Sequence, residues 1–271
     1  MQDILLSGPF EVEPVAEIPL SRSPLVRALA QVRFPHLVAM SQQNIETTVG
    51  FVVERLKDDY PILGEQREVQ VTLTPEGVSQ TQGGKLWQMR SPDEAWQVTL
   101  GETFVSLDTK DYSSRADFIQ RLATVLTSIA ETVAPPFAER LGVRYTNRID
   151  DPSLLLRLEK LVRSEILGGL AVPRPEGVTL AHTMSESLYQ INSRMLHARW
   201  GLLPPGTVLD PTLPTSKDSS WVLDLDSFIQ VRSEFDATGL ASAAAELASA
   251  AYRYFRWVVT DEFLKAFGGA V

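Results

Sequence analysis

The chain has 271 residues, of which 44% are hydrophobic and 22% charged, a composition typical of a globular protein with one large domain or two smaller ones. Its net charge of −9 at pH 7 disfavours a surface dominated by contacts with nucleic-acid phosphates or anionic membranes, although a local basic patch is compatible with it. The chain has no cysteine, which excludes disulfides, thiol catalysis and cysteine-bound zinc. With no apolar run long enough to span a membrane and no secretion signal, the protein is expected to be cytoplasmic.

The start of the chain is rich in proline, with Pro9, Pro14, Pro19 and Pro24. Because proline fixes its own backbone and restricts the residue before it, helices and central strands are disfavoured here. Residues 1–24 are therefore predicted to form an extended arm on the surface.

Residues 25–150 are predicted to form a ferredoxin-like half, with an antiparallel sheet and helices on one face. Alternating apolar and polar residues predict the strands, and apolar stripes at helical spacing predict the helices. In chain order the predicted elements are a strand at 26–34, a helix at 41–58 beginning at Ser41, strands at 70–74, 85–89, 95–100 and 103–108, a helix at 114–133 and a strand at 141–149.

Residues 151–271 are predicted to form a second α+β half, so that two ferredoxin-like layers pack together as one structural unit. The loop at 202–220 contains four prolines and small polar residues, and a loop of this length in a compact domain is usually mobile, functional or both. The predicted elements are a helix at 152–167, strand material at 179–182 and 187–201, a strand at 221–228 and a long terminal helix at 238–267.

The most informative strand is the polar one at residues 141–149. On a period of two, Arg144, Thr146 and Arg148 lie on one face. Arg27 and Arg33 lie on the polar face of the first strand, and in a ferredoxin-like sheet these strands can lie close together. The arginines would then form an anion site for a phosphate, a carboxylate, an acidic peptide or single-stranded RNA.

A structural role for the same arginines is the more common outcome. They are expected to pair with acids of the second half, such as Asp224 and Asp226, and so to join the two layers. The net charge of −9 supplies ample acids for this pairing.

Segments along most of the chain resemble a family of uncharacterised, sporadically distributed bacterial and archaeal proteins of about this length. The resemblance is carried by Pro24-Leu-Val26, Val32-Arg-Phe34, Tyr60-Pro61, the central Arg140-Leu-Gly-Val-Arg-Tyr-Thr-Asn-Arg-Ile149 and the terminal Thr260-Asp-Glu262. Within the central motif the matching positions are Arg140, Arg144, Tyr145, Asn147 and Arg148. The patchy distribution of the family implies accessory roles, such as defence or toxin–antitoxin-type modules, and the resemblance carries over no activity.

Two further groups are weaker candidates for chemistry. Asp224 and Asp226 form an acidic pair on one strand face, which is a minimal pattern for a divalent cation, and no third ligand follows at a recognisable spacing. His197, in a strand near Arg194 and Arg199, is the best candidate for a general base in RNA cleavage. Neither pattern matches an established catalytic or metal-binding motif, and the sequence predicts no cofactor.

These observations favour a non-enzymatic interaction protein of a bacterial accessory system, with the arginine face and the 202–220 loop as its contact surface. The expected partner is another protein or a second copy of the chain. A metal-independent ribonuclease or RNA-binding protein of the tandem ferredoxin-like kind is the alternative from another class, although the net acidity disfavours it. A small-molecule sensor is the third hypothesis, and it would show a ligand-dependent rise in melting temperature.

Overall fold

The protein was analysed as a computed structural model that describes residues 8–10, 15–41, 43–74 and 77–270, with side chains described outside residues 68–83. Residues 1–7 and 11–14 of the predicted arm lie outside the described residues. Residues 15–24 contain neither helix nor strand, and they are anchored where the Ile18 N–H donates to the Tyr252 hydroxyl at 2.8 Å.

The fold combines helices with a large antiparallel sheet, as the sequence predicts at the level of fold class. The helices are α1 (Ile45–Leu56), α2 (Arg115–Thr132), α3 (Pro152–Leu155), α4 (Leu158–Leu161), α5 (Ala237–Val258) and α6 (Asp261–Ala266). The strands are β1 (Leu25–Arg33), β2 (Ile62–Thr74), β3 (Gly77–Arg90), β4 (Trp96–Gly101), β5 (Phe104–Thr109), β6 (Phe137–Ala138), β7 (Arg140–Ile149), β8 (Thr183–Ile191), β9 (Arg194–Leu203), β10 (Ser220–Ile229) and β11 (Ser233–Glu234). None of the helices in the described part of the chain combines the length and the apolar character that crossing a bilayer requires.

Among the described residues, nine strands form a sheet in the order β2-β3-β4-β5-β1-β7-β10-β9-β8, and β6 and β11 form a separate antiparallel pair. The chain divides into two compact units. Unit 1 comprises residues 1–28, 144–228 and 246–271, and unit 2 comprises residues 29–143 and 229–245. The expectation of two ferredoxin-like layers stays a prediction.

Unit 2 contains the antiparallel meander β2 to β5, whose register pairs Trp87 with Leu100 and Trp96 with Thr109. Ser114 caps α2 by accepting the backbone N–H of Asp117, as expected for a serine at this position. The predicted apolar stripe of α2 is buried, and its members are Phe118, Leu122, Val125 and Ile129. The first helix begins at Ile45 rather than Ser41, because Ser41 ends a short 3-10 turn over Val38–Met40.

Unit 1 contains the β8–β9 hairpin, in which Ile191 pairs with Arg194 across a turn. Asn192 adopts a positive φ of 57° in that turn, a conformation that asparagine tolerates better than most residues. The helix α5 contacts one face of this hairpin, where the rings of Tyr189 and Tyr254 lie 5.8 Å apart. The other face of β8 carries Glu186, because successive side chains of a strand alternate.

Two helices predicted in the second half are interrupted. The N–H of Arg163 donates to the carbonyl of Val258, and Val162 forms an isolated bridge with Val259. These bonds lie between α4 and the following 3-10 turn and between α5 and α6, and the predicted 152–167 helix has a further break between α3 and α4. Thr260 then caps α6 by accepting the N–H of Phe263.

The strand predicted at 179–182 is wrong, because regular pairing begins at Thr183, where β8 meets β9. The strand material predicted at 187–201 belongs to β8 and β9, which pair as a hairpin. The strand at 221–228 is confirmed as part of β10, and the loop that precedes it covers residues 204–219.

Candidate functional site

Unit 1 brings four arginines of neighbouring strands to one side of the sheet. They are Arg27 on β1, Arg144 and Arg148 on β7, and Arg199 on β9, and together they are called the arginine cluster below. Within the sheet β10 lies between β7 and β9, so that its Asp224 is positioned between Arg144 and Arg199. Successive side chains of β9 point to alternate faces, and the register with β8 shows which residues of the two strands share a face. The arginine cluster therefore lies on the face opposite Tyr189 and α5.

Asp224 is the buried centre of the cluster, with a side chain only 1% exposed. Its Oδ1 accepts the Arg144 Nε–H at 2.7 Å and the Thr146 hydroxyl at 2.8 Å. Its Oδ2 accepts the Arg199 Nε–H at 3.1 Å and an Nη2–H of the same guanidinium at 2.7 Å. A carboxylate has about four acceptor sites, and all are used here, so Asp224 is a saturated ion-pair partner.

A second carboxylate comes from the 204–219 loop. Asp210 Oδ2 lies 3.0 Å from Arg144 Nη1 and 3.5 Å from Arg27 Nη1. Its Oδ1 accepts the backbone N–H of Thr212 at 3.0 Å and the hydroxyl of that residue at 2.6 Å. The same hydroxyl accepts the Arg27 Nη1–H at 2.6 Å, so the Asp-Pro-Thr turn presents one carboxylate oxygen and one hydroxyl to the arginines.

The same loop has two further attachments in unit 1. Arg148 donates from Nη1 to the carbonyl of Pro214 at 2.6 Å, and the side chain of Leu213 is buried. A backbone bond from Gly206 to Ser216 closes the base of the loop on itself at 2.9 Å. The loop therefore lies against the arginine cluster rather than extending away from it.

The charges of the cluster support one another. Burial alone lowers the pKa of Arg144, but the carboxylates of Asp224, Asp210 and Asp226 outweigh it and hold that pKa above the ordinary value for arginine. Burial alone raises the pKa of Asp210, but its bonds with Thr212 and the charges of Arg144 and Arg27 outweigh burial and hold that pKa below the ordinary value for aspartate. Both groups are accordingly charged at neutral pH.

The predicted site residues do not all meet. Arg27, Arg144 and Arg148 belong to the arginine cluster and Thr146 donates to Asp224 at its centre, whereas Arg33 lies at the exposed end of β1 and belongs to unit 2. The predicted pairing of arginines with acids of the second half occurs between Arg144 and Asp224, across neighbouring strands of one sheet rather than between facing sheets.

Sequence reasoning does not assign two residues to this site, Arg199 of the arginine cluster and Asp210 of the loop. The sequence pattern gives Arg199 only as a neighbour of His197, although Arg199 lies between the apolar residues Ala198 and Trp200. Asp210 lies in a loop, where no periodicity indicates which residue contacts the sheet.

The metal and catalytic candidates have other partners. Within the described ranges, no group of three or more histidine, cysteine, aspartate or glutamate side chains is arranged to hold a metal ion. Asp224 is engaged by two arginines, while Asp226 adds to the negative charge that acts on Arg144. His197 Nε2 lies 3.4 Å from Glu186 Oε2, on the same sheet face as Arg199.

The site is an ion-pair cluster with two carboxylates. Asp224 is buried within the sheet, and Asp210 contacts the arginines from the loop. Comparisons with protein-family models, with curated proteins and with solved structures found no match. The family resemblance of the central motif therefore stays a prediction, and the geometry of this cluster carries the functional argument.

Proposed function

We propose that the protein is a non-enzymatic binding protein of a bacterial accessory system, which uses the arginine cluster and the 204–219 loop to contact an acidic segment of a partner protein. The main support for this proposal is the ion pairing of Asp210. Its Oδ2 lies 3.0 Å from Arg144 Nη1 and 3.5 Å from Arg27 Nη1. A face that holds one carboxylate in this way has the chemistry to hold another. The accessory setting rests on the family resemblance alone.

The arginines of the cluster differ in role. Arg144 and Arg199 hold the buried Asp224, so reversing their charge would place like charges together inside the sheet. Arg144 also contacts the loop through Asp210, while Arg27 and Arg148 contact the loop through Thr212 and the Pro214 carbonyl. Arg27 and Arg148 are therefore the residues to change when binding is to be separated from folding.

Affinity capture of the full-length protein from its host tests the proposal. Wild type is compared with the double variant Arg27→Gln/Arg148→Gln, and Arg55→Gln is the matched control because Arg55 is an exposed ion-pair partner of Glu131 on a helix of unit 2. The expected result is one dominant protein that the wild type and the control retain and the double variant loses. Equal capture by all three proteins contradicts the proposal.

A ribonuclease is the second candidate because His197 lies beside Glu186 and on the same face as Arg199. A histidine held by a carboxylate next to a guanidinium is an arrangement that can act on a phosphodiester. Incubating labelled RNA with wild type and with His197→Ala separates the two candidates. Cleavage that is lost in the variant supports the ribonuclease, while intact RNA supports the binding protein.

We also propose that the chain is built from two ferredoxin-like halves. Residues 25–150 contain a strand, a helix, antiparallel strands, a second helix and a final strand, which is an elaborated form of that order. Residues 151–271 repeat only the pattern of helix, strands and long helix. Nuclear Overhauser contacts of both helices with the same sheet face in each half would support this proposal, and contacts with opposite faces would contradict it.

A further inference from the structure

The turn at residues 210–212 has the geometry of a ligand seated in a binding site. Asp210 uses Oδ1 for bonds within the turn, to the N–H and hydroxyl of Thr212. This leaves Oδ2 directed at Arg144 and Arg27, which come from two different strands. The turn thus offers a fixed carboxylate oxygen and a fixed hydroxyl to two guanidiniums, and a polar pair of this kind is specific in geometry as well as in charge.

The receiving arginines lie on strands, whereas the turn that contacts them belongs to no helix or strand. Arg144 is held from below by Asp224, and Thr146 fixes the same carboxylate. The turn belongs to a loop without helix or strand, in which Leu213 is buried while neighbours such as Pro211 and Lys217 are exposed. A preorganised receptor under a loop segment allows exchange of the occupant without rearrangement of the sheet.

Charge supplies the reason for exchange. When Asp210 leaves, one negative charge is removed from a position 3.0 Å from Arg144 Nη1 and 3.5 Å from Arg27 Nη1. An acidic group that takes this position restores the lost charge. An incoming acidic group is favoured there, since guanidinium groups in partly buried positions require compensation.

We propose that Arg27 and Arg144 form a binding site for an acidic turn of the Asp-x-Thr or Asp-x-Ser kind on a partner protein, and that residues 210–212 occupy this site as an internal competitor. The proposal rests on the proposed function, and it adds the recognised feature of the partner and the regulation of the site. Binding of the partner displaces the turn, so the apparent affinity is reduced by the fraction of molecules in which the turn is seated.

Full-length protein and a synthetic peptide with the sequence of residues 208–214 provide the test. Peptide affinity is measured by calorimetry for wild type, Asp210→Asn and Thr212→Val, with Asp218→Asn as the control that removes the same charge from an exposed position of the same loop. Both turn variants should bind the peptide about ten-fold more tightly than wild type if the turn is seated in about 90% of molecules. The control should match wild type, and adding Arg27→Gln to either turn variant should abolish the gain.

Several results would overturn the inference. If the turn variants fold but bind the peptide no better than wild type, the turn has a structural role and does not compete for the site. Equal binding of a peptide carrying asparagine in place of its aspartate, or of inorganic phosphate, would show that the site does not recognise an acidic turn. If Asp210→Asn does not fold, Thr212→Val retains the charge of Asp210 and carries the test.

The two proposals fail in different experiments. Loss of a captured partner from Arg27→Gln/Arg148→Gln, without any gain of peptide binding in the turn variants, would leave the proposed function standing and refute internal competition. A gain of peptide binding with equal capture by all proteins would refute the proposed function, and it would leave an anion site without that partner.

Discussion

Replacing Asp224 by asparagine is the most informative perturbation of the arginine cluster, because it removes one buried charge and changes little volume. The carboxylate accepts two bonds on each oxygen, from Arg144, Thr146 and Arg199. An asparagine retains one acceptor oxygen and directs its NH2 group at a guanidinium, so at least one donor set loses its partner.

The magnitude follows from the burial of the partners. Breaking a buried ion pair from one side costs about 3–5 kcal/mol. Here the side chains of Arg144 and Arg199 are 20% and 27% exposed and Arg144 retains Asp210, so water and the loop compensate for part of the loss. We therefore expect the low end of the range, about 3 kcal/mol in the free energy of unfolding.

Urea denaturation followed by circular dichroism measures this cost. The control is Asp218→Asn, which removes an exposed carboxylate and should change the free energy of unfolding by less than about 0.5 kcal/mol. If Asp224→Asn costs no more than the control, the cluster does not stabilise unit 1 and the reasoning from its geometry is refuted.

Three further predictions concern the same unit. Thr146→Val removes one donor to Asp224 and should cost about 1 kcal/mol in urea denaturation, and a cost near zero would contradict a role for the hydroxyl. Because the pKa of Asp210 is lower in the folded protein, its stabilising effect is present above the unfolded value of about 4 and is lost as the pH falls. The stability difference between wild type and Asp210→Asn should therefore shrink between pH 5 and pH 3, whereas a constant difference would contradict the ion pair. A Cβ at Gly201 would lie 2.0 Å from the backbone oxygen of Thr183, so Gly201→Ala should destabilise by more than about 2 kcal/mol, and a neutral effect in thermal denaturation would contradict the register of β8 and β9.

Much of the fold follows from local patterns. The buried stripe of α2 and the alternation of β1 appear directly in the sequence, because burial on one side imposes a period of 3.6 or 2 on apolar residues. The breaks at Val162 and Val259 do not appear, because they depend on bonds between segments almost a hundred residues apart along the chain. Local periodicity continues through both breaks, so the sequence predicts helices that are too long.

The contacts of the site also differ in how far the sequence predicts them. The pairing of Arg144 with Asp224 was one of two alternatives that strand alternation offered, since both residues lie on polar faces of clear strands. The contact of Asp210 with Arg144 and Arg27 depends on the path of a loop, which no periodic pattern encodes. The role of Asp210 as an exchangeable ligand therefore follows from the structure of the loop and not from the sequence.

Direct titration of the partner that affinity capture returns is the measurement that tests the central claim. Purified partner is titrated into wild type and into Arg27→Gln/Arg148→Gln, after equal melting temperatures have shown that both are folded. Loss of two arginine contacts should weaken binding at least about ten-fold, since truncating one partner of a hydrogen-bonded charge pair costs roughly 2 kcal/mol or more. Equal affinity of the two proteins would contradict the claim that the arginine cluster is the binding surface.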